Sequence, residues 1–305
     1  MTKRAYRLSC AAGAAALLLP VGAASAPKEP LRLQPVSKWN VHYADDSCRM
    51  SRVFGEGDQQ VAFIAERYRP GDALRISFIG KPAGTSLNQG VVRILFGPSE
   101  TEQEVEFYPA TAADKQPALI LRGNVRVVAR SPQEMAAYEA ALKAGEFQFR
   151  WSEVTPEQEE AITFISVRRS IREPFILETG PLGGPLAALR TCTNELLTHW
   201  GIDVARHAGS TRPVTPKSDP RNWVTPGDYP SSMLAMGKRA IVQFRLNVDA
   251  AGAPTACHIQ QSTRPKQFDD AVCAAIMRRA KFEPALDADG RPMPSYWLNS
   301  VTFHI

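Results

Sequence analysis

The sequence predicts an α+β fold in two parts: a strand-rich first domain, and a shorter unit that runs strand, turn, strand, helix and final strand. Three observations carry this. Short runs of Val, Ile, Leu and aromatic residues recur between residues 41 and 177, punctuated by Gly and Pro. Helical spacing over long stretches is confined to a few places, the clearest being Leu186–Trp200 and Phe268–Ala280. From Arg239 to Asp249 the chain alternates: Ala240, Val242, Phe244, Leu246 and Val248 face one way, while Gln243, Arg245, Asn247 and Asp249 face the other.

Residues 1–26 read as a secretory signal peptide. Lys3, Arg4 and Arg7 precede the apolar run Leu8–Val21, and Ala24-Ser25-Ala26 fits the small-x-small cleavage rule. The run is shorter than the ~20 apolar residues a spanning helix needs, and Pro20 interrupts it, so cleavage and export to the periplasm are expected. A retained leader would instead anchor the protein to the inner membrane. Residues 27–35 are Pro-rich and polar, a flexible lead-in.

Residues 36–206 form the expected first domain. It opens with Trp39–Tyr43, a strand ending at Asp45-Asp46-Ser47-Cys48. Strand character follows at Val61–Tyr68, Ala73–Ile79, Val91–Phe96, Glu104–Tyr108, Ala118–Leu121 and Val125–Ala129. Ser131 and Pro132 are an N-cap and a first helical residue, and that helix is expected to stop at Gly145. Phe147–Trp151, Ile162–Val167 and Glu173–Leu177 read as further strands. The Leu186 helix, with Leu186, Leu189, Cys192, Leu196, Leu197 and Trp200 along its apolar side, closes the domain at Gly201. Residues 207–228, with Pro213, Pro216, Pro220 and Pro226 among polar residues, read as a semi-stiff linker.

Residues 229–305 form the second unit. After the alternating strand, Asp249-Ala250-Ala251-Gly252 supplies a turn, and Thr255–Gln261 a second strand. On the Phe268 helix, Phe268, Val272, Ala275 and Ile276 make the apolar stripe, with Asp269 and Asp270 in the first turn and Arg278 and Arg279 in the last. Tyr296–Ile305 is the closing strand.

Charge and cysteines narrow the partners. The chain has 36 Lys and Arg against 31 Asp and Glu; loss of Lys3, Arg4 and Arg7 leaves 33 against 31, a net +2, which gives no ground for nucleic acid as a partner. Four cysteines remain after the leader, Cys48, Cys192, Cys257 and Cys273, an even number that in an exported chain implies two disulfides. Three pairings are formally open. The inward position of Cys192 and the place of Cys48 beside the first strand favour Cys48–Cys192. Cys257 on its strand and Cys273 on the flank of the helical stripe favour the second bridge.

Residues that carry chemistry are sparse. His42, His199, His207, His258 and His304 lie in no nucleophile context, and adjacent Cys257 and His258 point to opposite faces of a strand. Gly180–Pro185 lacks the Lys and Ser/Thr of a phosphate loop, and Glu157–Glu160 is the acidic first turn of a helix after Thr155-Pro156. No catalytic, cofactor or metal residue is expected, and the chain is not expected to be an enzyme.

The second unit carries a set of ordered motifs: Tyr229-Pro230, Gly237, the long strand, Gly252, Phe268-Asp269, Phe282-x-Pro284-Ala285, Gly290-x-Pro292 and Val301-x-Phe303. In order and spacing these resemble the TonB C-terminal domain family. The resemblance implies a small antiparallel sheet packed with helices, which in the energy transducer grips the TonB box of outer-membrane receptors by strand addition. This chain departs from the pattern at Ala240, where a Gly is usual, and at Gln261-Ser262-Thr263, where Ser-Ser-Gly is common. A terminal strand lying at a sheet edge would offer unpaired backbone groups to an extended peptide. The expected partner strand is Tyr296, Trp297, Leu298, Asn299, Ser300, Val301, Thr302 and Phe303. The expected partner is a TonB-dependent outer-membrane receptor or another envelope protein, in support of outer-membrane transport. The alternative is a scaffolding envelope protein that forms a homodimer through the same strands.

Overall fold

A computed structural model describes residues 28–144, 149, 151–262 and 265–304. The expected leader, Gly145, most of the expected strand Phe147–Trp151 and Ile305 lie outside them. The fold is α+β throughout, with two hydrophobic cores.

The first core is built on ten strands: β1 (Leu31–Leu33), β2 (Asn40–Tyr43), β3 (Cys48–Phe54), β4 (Val61–Arg67), β5 (Arg75–Ile79), β6 (Gly90–Phe96), β7 (Gln103–Thr111), β8 (Pro117–Leu121), β9 (Ile165–Arg168) and β10 (Phe175–Leu177). Among the described residues they form one sheet in the order β1-β10-β9-β6-β7-β8-β5-β4-β3-β2, antiparallel except for the β1–β10 pair. Alternation decides which side chains enter the core. Val61, Phe63 and Ala65 on β4 point in, as do Ile76 and Phe78 on β5 and Val92, Ile94 and Phe96 on β6.

Four helices belong to this part: α1 (Pro132–Lys143), α2 (Pro156–Ala161), α3 (Gly183–His199) and α4 (Val204–Ala208). Reciprocal capping boxes start α1, through Ser131 and Glu134, and α2, through Thr155 and Gln158. α3 lays Leu186, Leu189, Cys192, Leu196 and Leu197 against the sheet, and Cys192 is bonded to Cys48, Cα to Cα 6.0 Å. A loop of 144 residues closed in this way is worth about 5 kcal/mol in the chain-entropy description.

The second core uses β11 (Thr215–Pro216), α5 (Ser231–Ala235), β12 (Ala240–Val248), β13 (Pro254–Ser262), α6 (Lys266–Arg279), β14 (Phe282–Glu283), β15 (Ala285–Leu286), β16 (Pro292–Met293) and β17 (Ser295–Phe303). β12 lies between β13 and β17, antiparallel to both. α6 crosses one face, burying Phe268, Val272, Ala275 and Ile276 against Val242, Phe244, Leu246 and Val248. Cys257 on β13 is bonded to Cys273 on α6, Cα to Cα 5.7 Å, which fastens the helix to the sheet.

The structure departs from the sequence reading in four places. The lead-in is not free: Leu31–Leu33 adds to the sheet beside β10, and Leu33 is buried. Cys48 opens β3 instead of closing β2, because Ala44 N–H bonds to Ser47 C=O and turns the chain before it. Val125–Ala129 makes one bridge, Val125 to Leu74, and no strand. The Pro-rich stretch 207–228 is built into the second core. Val214 and Trp223 are buried there, and Thr215–Pro216 pairs with β14. Proline spacing shows stiffness but not the two large apolar side chains that give the stretch something to pack.

Candidate functional site: the edge of the C-terminal sheet

The hairpin joining β12 to β13 sets the geometry of the site. Asp249 Oδ1 accepts from the Ala251 and Ala253 N–H groups, both at 2.9 Å, and the Asp249 N–H donates to Ala253 C=O at 3.0 Å. Gly252 completes the turn at φ +82°, where a Cβ would stand 2.0 Å from Phe282 C=O, so only glycine fits.

That hairpin bond also fixes which way each backbone group points. Asp249 N–H faces β13, so Asn247, Arg245 and Gln243 face β13 as well. The residues between them, Val248, Leu246, Phe244, Val242 and Ala240, face β17, where their partners are Ser295, Trp297, Asn299, Val301 and Phe303. The backbone groups of Tyr296, Leu298, Ser300 and Thr302 therefore point away from the sheet. Among the described residues no strand pairs with that side of β17.

Side chains divide by the same parity. Trp297 packs on Trp223, Phe282 and Phe244 at ring separations of 5.2, 5.5 and 5.9 Å, and Phe303 packs on Phe268 at 4.7 Å. With Val301 they belong to the second core, so of the eight residues in the expected partner strand these three serve the fold. Asn299, Ser300 and Thr302 are exposed and Leu298 is half-buried.

Tyr296 has a different neighbourhood. Its ring meets Trp200 at 5.3 Å and stacks on His207 at 5.4 Å, while His207 Nε2 lies 3.1 Å from Ser295 Oγ. Burial pushes the Tyr296 phenol up to about 12 and the His207 imidazole below its usual value. Nearby, Arg245 is 3% exposed, its guanidinium 3.9 Å from the centre of the Trp200 ring and 3.3 Å from Asp46. Gln260 Nε2 donates to Asp46 C=O at 3.2 Å and to Tyr68 C=O at 3.4 Å, and Arg75 donates to Gln261. The face of the sheet opposite α6 is thus docked on the first part of the protein, which covers the Tyr296 end of β17 and leaves the Leu298–Thr302 end open.

Sequence reasoning missed this docking. Gln243, Arg245 and Asn247 alternate as a solvated face would, and nothing in the alternation separates water from a second protein surface. A signal was present in Trp200, a large aromatic residue at a helix end, where a partner is expected when it is buried.

The motifs that suggested the family have local roles. Tyr229 packs on Phe268 and Phe303 at 5.5 and 5.2 Å, and its hydroxyl donates to Lys238 C=O. Asp228, just before it, holds Arg279 at 2.6 Å, and that hydrogen bond keeps its carboxyl well below the usual range. Arg279 also donates to Trp223 C=O at 2.7 Å, so the basic end of α6 clamps the 207–228 stretch. Among the described residues, no three His, Cys, Asp or Glu side chains gather as a metal would require, and no helix is long and apolar enough to cross a membrane.

No curated protein matches the chain. The model of the family described as Gram-negative bacterial TonB protein C-terminal matches residues 226–305. That stretch, similar to the family's C-terminal domain, holds α6, the three-stranded sheet and both ends of β17.

Proposed function

We propose that this is a TonB-like envelope protein that binds an extended peptide of an envelope partner by strand addition along the outer edge of β17. In this reading the chain is exported to the periplasm, is not an enzyme, and acts in support of outer-membrane transport through a TonB-dependent receptor. The observation that carries the reading is the parity of β17, which turns the backbone groups of Leu298, Ser300 and Thr302 outward on an edge that no strand among the described residues pairs with. An added strand would take its affinity from those main-chain groups and its selectivity from alternate side chains.

The test is a titration of the 15N-labelled chain with a synthetic TonB-box peptide. Binding by strand addition moves the amide resonances of Leu298, Ser300 and Thr302 and slows their hydrogen exchange. A peptide that leaves them unmoved at millimolar concentration removes the strand-addition reading.

A further inference from the structure

The open end of β17 has a feature that edge geometry alone does not require. The Ser300 N–H, which points away from β12, donates to Asn299 Oδ1 at 2.8 Å. Asn299 faces the α6 side, yet it is exposed, because α6 lies over β13 and β12 and does not reach this point of the edge strand. Its carboxamide is free to fold around the rim of the sheet and take the central outward donor of the open stretch. The residues on either side differ: no side chain among the described residues receives the Leu298 or Thr302 N–H.

We infer that Asn299 is a cap on this edge. It closes the middle of the docking rim and admits a partner strand only when its carboxamide swings away. The inference rests on the proposed strand addition for its partner, but its physical content, an occupied donor, stands apart from that reading. Unpaired strand edges are sites of unwanted association, and proteins blunt them in several ways. Here two devices act in series along one strand. The first part of the protein, through Trp200 and His207, covers the Tyr296 end. Asn299 then covers the central N–H, leaving the Ser300 C=O and the Leu298 and Thr302 groups uncovered. A second copy meeting this edge finds its central acceptor partnerless. A bound peptide long enough to pair at both Leu298 and Thr302 gains enough to displace the carboxamide. The cap therefore discriminates by length and extension of the partner strand, favouring an extended segment that spans Leu298 to Thr302 over shorter or bent ones.

Two variants and two readouts test this. In the wild-type chain the Ser300 amide exchanges more slowly than those of Leu298 and Thr302, by about fivefold, the worth of one such hydrogen bond. Asn299→Ala abolishes that difference and Asn299→Asp, which keeps an acceptor, retains it. An unchanged Ser300 rate in Asn299→Ala overturns the cap. The second readout is access. Asn299→Ala binds the TonB-box peptide about fivefold more tightly than wild type, or, where neither binds, shifts the chain toward dimer in sedimentation. Lost protection with no gain in either peptide affinity or dimer overturns the gating role. Lost protection with dimer formation but no peptide binding keeps the cap and removes the peptide reading, so the two failures are distinguishable.

Discussion

The guanidinium of Arg245 lies over the indole of Trp200, 3.9 Å from its centre, and joins the two cores through one cation–π contact. Arg245 is on the central strand of the C-terminal sheet and Trp200 follows the long helix of the first part, 45 residues earlier in the chain. Asp46, 3.3 Å away, supplies the countercharge. A desolvated contact of this kind is worth about 2 kcal/mol, so Arg245→Ala weakens docking by at least that much, since it also strands Asp46. Arg245→Lys recovers only part, because an ammonium has no planar face to lay on the ring. Limited proteolysis across residues 201–214 reads the loss as faster cleavage. Wild-type cleavage rates in Arg245→Ala would sink the idea that this contact holds the two cores together.

Acid loosens the same contact surface. Burial holds His207 below its ordinary 6.5, and burial together with the nearby Arg245 does the same for His258, with Asp46 opposing. The groups facing His207 are Tyr296 and Ser295, with Arg206 beside it, and burial acts there without a compensating carboxylate among the described residues. A folded imidazole that resists protonation binds fewer protons than the unfolded chain, so stability rises with pH in this window. It is lost as pH falls below 6.5 through the depressed values. Denaturant midpoints measured from pH 7.5 to 5 decline, and His207→Gln flattens the decline; an equal slope in that variant would assign the effect elsewhere.

The segment before the family match is part of the C-terminal fold. Trp223 is 3% exposed and meets Phe282 and Trp297, both at 5.2 Å, and β11 pairs with β14. Trp223→Ala costs about 3–5 kcal/mol, the range for truncating a buried aromatic ring. A fragment of residues 226–305 unfolds at lower denaturant than one beginning at residue 211. Equal midpoints for the two fragments would show that Val214 and Trp223 pack without contributing.

Proline separates the two sides of β17. Thr302 turns its N–H outward, so Thr302→Pro removes a donor from the open edge while sparing the ladder to β12. Val301 turns its N–H toward Val242, and Val301→Pro breaks that ladder at an interior position. Circular dichroism and thermal melts show a folded Thr302→Pro with peptide binding lost, and a Val301→Pro that melts several degrees lower. A Thr302→Pro chain that binds peptide like wild type would move the site off this edge.

Much of the architecture was legible because local signals agreed. β12 alternates cleanly, the Phe268 and Leu186 helices carry unbroken stripes, and the turn at Gly252 needs a residue that tolerates positive φ. What stayed hidden depends on distant partners. Leu31–Leu33 is too short to read as a strand and becomes one only beside Phe175–Leu177, 144 residues away. Arg67, alternating with Val61, Phe63 and Ala65, is carried into the core with no hydrogen-bond partner for its guanidinium among the described residues, and burial pushes it down to about 10. At the proposed site, the sequence pointed to this strand but not to its division between core and edge. Trp297 and Phe303 look like contact residues until Trp223 and Phe268 are placed against them.

The two bridges join the cysteines in the order in which the chain presents them, Cys48 with Cys192 and Cys257 with Cys273. A chain that emerges with its N-terminus leading offers Cys48 no other of these thiols until Cys192 arrives, by which time every strand of the first sheet has already appeared. The second pair then follows only 16 residues apart, with the first already consumed. Consecutive pairing of this kind needs no reshuffling, so a chain that meets its oxidant N-terminus first would form both bridges without the thiol exchange that takes seconds to hours.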